Sequence, residues 1–248
     1  MHLPSHRMRA MLPFRQHKRP DPETAMLHIR MICPADAPLL ADYYQRNLTH
    51  FQPWEPLRSA DYYAESAIQQ RLQHELALQQ RGEAAYFIAL SDVSAAALDV
   101  MQAQNQQHLA PASILAETSA TSVQPTMRPT MRPTMRIVAH CALTHVIYGP
   151  LQSCFMGYGV DQAYQGRGIM PRLCQAAITY GFSTLQLNRI MANVMLHNHR
   201  STALLQRLGF VEEGIAQKYL CIQGQWQDHR MMALLHPRHV VAAIAPKA

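Results

Sequence analysis

Tyr-Gly-Val-Asp-Gln-Ala-Tyr-Gln-Gly-Arg-Gly-Ile-Met occupies residues 158–170 and joins a short strand, a glycine-containing loop and the start of a helix. The strand ends at Asp161, a residue type that is common in turns. Beyond the loop, apolar residues recur at the three- and four-residue spacing of a buried helix face, at Met170, Leu173, Ala177 and Tyr180. Pro171 falls in the first helical turn, where its missing N–H costs little. The stretch therefore predicts a strand–loop–helix unit.

The loop has the properties of an anion-binding site. Its glycines permit a close approach of backbone to ligand. The first N–H groups of the following helix have no acceptor inside the helix, and the helix dipole there favours negative charge. No Gly-Lys-Ser/Thr and no third glycine follow, so neither a nucleotide P-loop nor a dinucleotide fingerprint is present. An ordinary glycine-rich turn is the alternative from these residues alone. The predicted phosphate cradle consists of Gln165, Gly166, Arg167, Gly168, Ile169 and Met170.

The pattern Gln-x-x-Gly-x-(Gly/Ala) at Gln165, Gly168 and Met170 resembles motif A of the GCN5-related N-acetyltransferase (GNAT) superfamily, with Met170 departing from its small-residue position. Further blocks stand in order along roughly residues 29–235, apart from one insertion. They are Ala41-Asp42-Tyr43-Tyr44, Pro53-Trp54-Glu55-Pro56, Arg189-Ile190-Met191-Ala192-Asn193, Asn198-His199-Arg200-Ser201, Leu208-Gly209-Phe210 and Gly224-Gln225-Trp226-Gln227-Asp228-His229. Together they resemble the Rim-type ribosomal-protein-alanine N-acetyltransferases.

The resemblance implies a mixed α/β fold. Its sheet is twisted, mostly antiparallel and about seven-stranded, with a splay between strands 4 and 5 and about four flanking helices. Our sequence reading places strands at 26–33, 84–90, 136–148, 153–161, 189–195, 211–222 and 225–235. It places helices at 34–47, 59–81, 169–184 and 198–208, and an irregular segment at 49–58.

Three appendages are expected around this domain, which spans 25–235. Residues 1–24 form a basic tail without secretory character, and 236–248 form a C-terminal tail; we expect both to be weakly ordered. Residues 92–135 form a low-complexity insertion that runs into three Pro-Thr-Met-Arg copies at 125–136. Proline at every fourth position cannot hold a helix or a central strand, so this insertion is also expected to be disordered.

The net charge of +6 belongs to these appendages, since 1–24 and 125–136 each carry an excess of three positive charges. Such segments are either flexible and solvated or in contact with RNA or a ribosome. The five cysteines lack Cys-x-x-Cys spacing, which argues against disulfides and structural zinc. No apolar run approaches ~18 residues, so no membrane contact is expected. We therefore expect a cytoplasmic protein with reduced thiols and no metal.

The resemblance also implies an acetyl-CoA site in the gap between strands 4 and 5. Backbone groups of Tyr158, Gly159 and Val160 would contact the pantetheine and polarise the thioester. Asn198 would contact the coenzyme or simply cap a helix. Ser201, one turn later, would lie near the sulfur and assist the leaving thiolate. Arg200 and Arg207 are candidates for the coenzyme phosphates or plain surface arginines.

The acceptor side offers one main candidate base, Glu55. An α-amino group with pKa ~7.7–8.0 is about one-tenth neutral at pH 7, whereas a lysine at ~10.4 is neutral only about once in 2,500. A carboxylate acting through water therefore suffices for an amino terminus. Trp54 and Glu55 are expected to contact the acceptor, with Asp228 and His229 as further candidates. Glu55 as an exposed acid or an ammonium binder is the alternative.

These observations predict an acetyl-CoA-dependent enzyme that acetylates an N-terminal amine directly, by resemblance an N-terminal alanine of a small-subunit ribosomal protein. Two alternatives remain open from the sequence. One is a small-amine or antibiotic acetyltransferase, since this scaffold hosts many acceptors. The other is a non-catalytic acyl-CoA-binding regulator that associates with the ribosome or RNA through the basic tails, with a strong salt dependence.

Overall fold

The computed structural model describes residues 27–59, 61–93 and 134–237. Seven strands form one sheet in the order β1-β2-β3-β4-β5-β7-β6. All neighbouring strands run antiparallel except β4 and β5, which are parallel. The strands are β1 His28–Met31, β2 Ala85–Val93, β3 Thr134–Ile147, β4 Ser153–Val160, β5 Arg189–Met195, β6 Val211–Ile222 and β7 Gln225–Leu235. The predicted mixed α/β class and strand number are confirmed.

Five α-helices flank this sheet within the described residues. They are α1 Ala37–Arg46, α2 Leu48–Phe51, α3 Glu65–Gln80, α4 Ile169–Ser183 and α5 His199–Arg207, with 3-10 turns at Pro34–Asp36, Gln52–Trp54 and Gln162–Tyr164. The prediction that 49–58 is irregular was wrong for its first half. Pro53 falls in the first turn of a 3-10 helix, where proline is tolerated.

The predicted start of the second long helix at residue 59 was also wrong, because a turn precedes α3. The amide of Tyr62 donates to the carbonyl of Ser59. The guanidinium groups of Arg58 and Arg71 lie 4.4 Å and 3.8 Å from the ring centroid of Tyr62. These cation–π contacts stabilise the turn and delay the helix.

Each face of the sheet carries its own core. On one face α4 and α5 bury Leu173 and Leu205 against the sheet residues Val138 and Ile190. On the other face α1 and α3 bury a smaller cluster that contains Tyr43, Ile68, Leu72 and Ile88. No helix in the described segments is long and apolar enough to span a bilayer.

The hairpin of β2 and β3 extends into the predicted insertion. Asp92 pairs with Met135 and Val93 with Thr134, so the insertion limits of 92 and 135 were wrong by two residues at each end. Strand pairing continues to this point in one register beyond a bulge between Ala89 and Leu90. The rest of that segment, residues 94–133, lies outside the described residues, as do 1–26 and 238–248, so their predicted disorder stays a prediction.

The pairing between β4 and β5 is short. Only Ser153, Cys154 and Phe155 of β4 pair with β5, whose last paired residue is Met191. Beyond these residues β4 stays paired with β3 and β5 with β7. The two strands therefore diverge and present backbone polar groups on facing edges, which is the predicted splay. We call this gap the β4–β5 opening.

Candidate active site

The glycine-containing loop enters α4 at the edge of the β4–β5 opening. Gly166 and Gly168 have φ of +74° and +72°, the left-handed region that disfavours other residues. A Cβ atom at either position would meet no atom of the described residues within 4 Å. Gly168 is the N-cap of α4 and provides no side-chain cap. Ile169 and Met170 direct their side chains to the core beneath α4 and α5, which we call the main core. They therefore leave the space beside the two glycines open.

The C-terminal end of α1 holds the turn before this loop. Asp161 is buried, pairs with Arg46 and accepts a hydrogen bond from Asn47 Nδ2 at 3.2 Å. Its other oxygen accepts from the amide of Ala163 at 2.9 Å. Asn47 Oδ1 accepts from the amide of Gln162 at 2.9 Å. The turn is therefore fixed by residues more than a hundred positions earlier in the chain.

Gln165 connects the loop to two other elements. Its Nε2 lies 2.9 Å from His50 Nε2, and its Oε1 accepts a hydrogen bond from Arg200 in α5. Burial lowers the pKa of His50, so this ring is neutral at pH 7. The guanidinium of Arg167 lies 5.0 Å from the ring centroid of Tyr164. Two cations thus lie beside the loop, and His50 contacts it as well, which the sequence reading did not predict.

The start of α5 faces β4 across the opening. Asn198 Oδ1 accepts from the amide of Ser201 at 3.1 Å and so caps the helix. Ser201 Oγ lies 2.6 Å from the hydroxyl of Tyr158. Burial raises the pKa of Tyr158, although the hydrogen bond to Ser201 opposes this shift, so the phenol is protonated at neutral pH. From the sequence we expected only backbone contacts from Tyr158. The alternation of side chains along β4 could have predicted which face of the sheet carries its hydroxyl group.

The two glycines of β4 serve different purposes. A Cβ on Gly159 would lie 2.7 Å from His140 Cε1, so this glycine makes room for the imidazole ring. A Cβ on Gly157 would meet no atom within 4 Å in the part of the chain that the structure describes. His140 Nδ1 lies 3.1 Å from the hydroxyl of Tyr43, and burial lowers the pKa of His140 to about 4. Val160 continues the ladder by pairing with Ala139.

The segment that contains Glu55 lies over the opposite side of the sheet. The hydroxyl of Tyr63 donates to Glu55 Oε2 at 2.5 Å, and Gln223 Nε2 donates to the Glu55 carbonyl at 3.0 Å. The indole of Trp54 stacks on His197 with 5.5 Å between ring centroids. Burial and the Glu55 hydrogen bond raise the pKa of Tyr63. The segment therefore joins the turn before α3, the β6–β7 turn and the β5–α5 turn.

Two further residues that were predicted to bind the coenzyme or the acceptor form hydrogen bonds with nearby backbone groups. Arg207 Nε donates to the carbonyl of Ala203 within α5 at 3.2 Å, and its side chain is exposed. Asp228 Oδ1 accepts from the amide of Lys218 at 2.8 Å beside a bulge in β6. Their roles in coenzyme and acceptor binding stay predictions. In the described ranges no group of three His, Cys, Asp or Glu side chains is placed to hold a metal ion.

Comparison with known proteins identifies clear relatives. The acetyltransferase (GNAT) domain family matches residues 26–211. The ribosomal protein uS5-alanine N-acetyltransferase of Escherichia coli (strain K12) is 34% identical over 214 residues, which cover 86% of this chain and 90% of that relative.

Two solved structures have a similar fold. The ribosomal-protein-S5-alanine acetyltransferase from Vibrio fischeri has a TM-score of 0.65 and 29% identity, covering 84% of this chain and 92% of that one. Mycobacterium smegmatis RimJ, solved with CoA-disulfide, has a TM-score of 0.64 and 22% identity, covering 86% and 83%. The fold expected from the sequence is confirmed.

Proposed function

Because this chain belongs to the GNAT acetyltransferase family and is a Rim-type acetyltransferase, we propose that it transfers an acetyl group from acetyl-CoA to the amino terminus of a protein. An N-terminal alanine of a small-subunit ribosomal protein is the acceptor that its relatives suggest. The observation that carries the proposal is the β4–β5 opening, which has the uncapped start of α4 at its edge and two contacting hydroxyl groups across it.

The residues at the opening fit the coenzyme. Free N–H groups at the loop and at the start of α4 suit its diphosphate, and the open space beside Gly166 and Gly168 leaves room for it. Arg167 and Arg200 add positive charge on either side of the loop. The unpaired edge of β4 suits the amide groups of pantetheine. Acetyl-CoA supplies an activated acyl group as a thioester, which an amine attacks directly.

The hydroxyl pair serves the departing thiolate in this proposal. Tyr158 is protonated at neutral pH and shares a short hydrogen bond with Ser201. A donor held in place before the reaction stabilises developing negative charge without having to reorganise. Tyr158 and Ser201 together can therefore donate a proton or a hydrogen bond at the sulfur.

Glu55 is the proposed base. Tyr63 engages one carboxylate oxygen, and Gln223 fixes the backbone at the same residue, so the carboxylate has a defined position. The second oxygen is then available to a water molecule or to the acceptor amine. An α-amine needs little help to lose its proton near neutral pH, so one carboxylate suffices.

Release of free thiol from acetyl-CoA tests the proposal. The purified protein is incubated with an alanine-starting peptide, with the same peptide blocked at its amino terminus, and with a polyamine. We expect thiol release only with the free amino terminus. Faster turnover of the polyamine would support the small-amine alternative, and coenzyme binding without release from any amine would contradict the enzymatic proposal. Ribosome or RNA contact through 1–24 and 125–136 and a cytoplasmic location stay predictions.

A further inference from the structure

The side-chain amide of Asn193 on β5 has only one of its two polar ends paired. Its Nδ2 donates to the hydroxyl of Tyr219 at 2.7 Å. Its Oδ1 is buried and has no hydrogen-bond partner in the described part of the chain. If the amide were turned over, Tyr219 would donate to Oδ1 and leave Nδ2 unpaired, so one end lacks a partner in either orientation. A buried polar atom without a hydrogen-bond partner lowers the stability of the fold by about 1–3 kcal/mol, so its presence here needs an explanation.

Asn193 lies in the diverging part of the β4–β5 opening. The last β5 residue paired with β4 is Met191, which lies opposite Phe155. Two residues further along parallel strands, Asn193 lies at the level of Gly157. Ala192 and Val194 point into the main core, so the side chain of Asn193 points to the opposite face of the sheet.

At the level of the amide, this face of β4 lacks a side chain. Met156 of β4 packs in the main core, so Gly157 presents its missing side chain to the same face as Asn193. A Cβ on Gly157 would meet no atom of the described residues within 4 Å. His140 lies on this face as well, because it packs against the next outward-facing glycine. So does Glu55, whose partner Tyr63 contacts Tyr44 of the core beneath α1 and α3. Asn193 therefore shares its face of the sheet with the proposed base.

The amide is also held in a fixed position. Tyr219 comes from β6, and its ring lies 5.4 Å from that of His229, which is buried. His229 Nδ1 in turn contacts the Gln227 carbonyl at 3.0 Å. A side chain fixed before binding loses little conformational freedom when a ligand forms a hydrogen bond with it.

We propose that Asn193 binds the acceptor through a hydrogen bond from an acceptor N–H group to Oδ1. This inference rests on the proposed acetyltransferase function and adds an acceptor-binding residue to it. The N–H group belongs either to the attacking amine or to the first peptide bond behind it. A neutral amide oxygen suits this place, because a carboxylate there would stabilise the charged ammonium form, which cannot attack.

Steady-state kinetics of Asn193→Ala, Asn193→Asp and the control Met191→Leu test the inference in the full-length protein. We expect Asn193→Ala to raise KM for an alanine-starting peptide at least tenfold, with KM for acetyl-CoA changed less than about twofold. Asn193→Asp keeps an acceptor oxygen, so it should retain peptide binding while shifting the pH–rate profile to higher pH. Met191→Leu, on the same face of β5, should have the same KM values and pH–rate profile as the parent protein.

A peptide that is N-methylated at its first peptide bond separates the two sources of the N–H group. If the peptide N–H is bound, the methylated peptide abolishes the difference between Asn193→Ala and the parent protein; if the amine is bound, the difference remains. Unchanged peptide KM and pH profile in Asn193→Ala, with an active parent protein, would overturn this inference and leave the proposed function intact. A parent protein inactive with every amine would overturn both. Thermal melting of each variant checks that it is folded.

Discussion

The phenolic oxygen of Tyr158 lies 2.6 Å from Ser201 Oγ, so a hydroxyl group from β4 meets a hydroxyl group from the first turn of α5 across the β4–β5 opening. The amide of Ser201 is itself held by the cap residue Asn198. The backbone cap fixes the serine, and burial keeps the phenol protonated. The two hydroxyl groups therefore form one unit, and their contributions should not be additive.

The first prediction concerns this pair. We expect Tyr158→Phe and Ser201→Ala each to lower kcat about 10- to 100-fold, since each removes one donor from the departing thiolate. The kcat of the double variant should be close to that of the less active single variant. Stopped-time thiol assays at saturating substrates measure all three, and Ser183→Ala, an exposed serine near the end of α4, is the control. Fully additive losses would contradict a shared role.

The second prediction compares two glycines with the same backbone strain. Gly168 and Gly149 both have φ of +72°, and a Cβ on either would meet no atom within 4 Å among the described residues. Alanine at either position should cost about 1–2 kcal/mol of unfolding free energy, measured in urea. Only Gly168→Ala should also raise KM for acetyl-CoA, about tenfold or more, because Gly149 lies in the β3–β4 turn. Equal KM values for the two variants would contradict coenzyme binding at the loop.

Local patterns predicted most of the fold. The limits of β5, β6 and β7 agree with the sequence reading, because strand alternation and turn residues such as Gly224 act within a few positions. The start of α3 was missed because cation–π contacts of Tyr62 with Arg58 and Arg71 outweigh local helix preference. Helix and strand preferences are weak and yield to such tertiary contacts.

The site was predicted less completely, because its geometry depends on residues far apart in the sequence. The glycine loop could be read from its own residues. The anchoring of Asp161 by Arg46 and Asn47 could not, because no local pattern links residues 114 or more positions apart. The same holds for the contacts of Gln165 with His50 and of Asn193 with Tyr219. Such pairs become visible only when the sheet brings their strands and helices together.

The third prediction tests Glu55 as the base. Glu55→Gln keeps an acceptor for the Tyr63 hydroxyl but removes the basic carboxylate, so kcat/KM for the peptide should fall about 100-fold. Tyr63→Phe should lower kcat/KM for the peptide only a few-fold, because it loosens the carboxylate without removing it. Neither should change KM for acetyl-CoA. Glu65→Gln, at an exposed acid in the first turn of α3, serves as the control. Full activity of Glu55→Gln across the pH range would assign the base elsewhere.

The fourth prediction follows from the buried imidazole of His140. Burial lowers its pKa to about 4, whereas an unfolded chain has about 6.5. Between these values the unfolded chain binds a proton at this residue that the native protein does not, so the contribution of His140 to the free energy of unfolding falls as pH drops from 6.5 towards 4 and levels off below. The shift corresponds to roughly 3 kcal/mol. His140→Gln keeps an acceptor for the Tyr43 hydroxyl but cannot titrate, so its unfolding free energy, measured in urea at several pH values, should fall less over this window by about that amount. Parallel stability curves for the two proteins would show that His140 titrates normally in the native state.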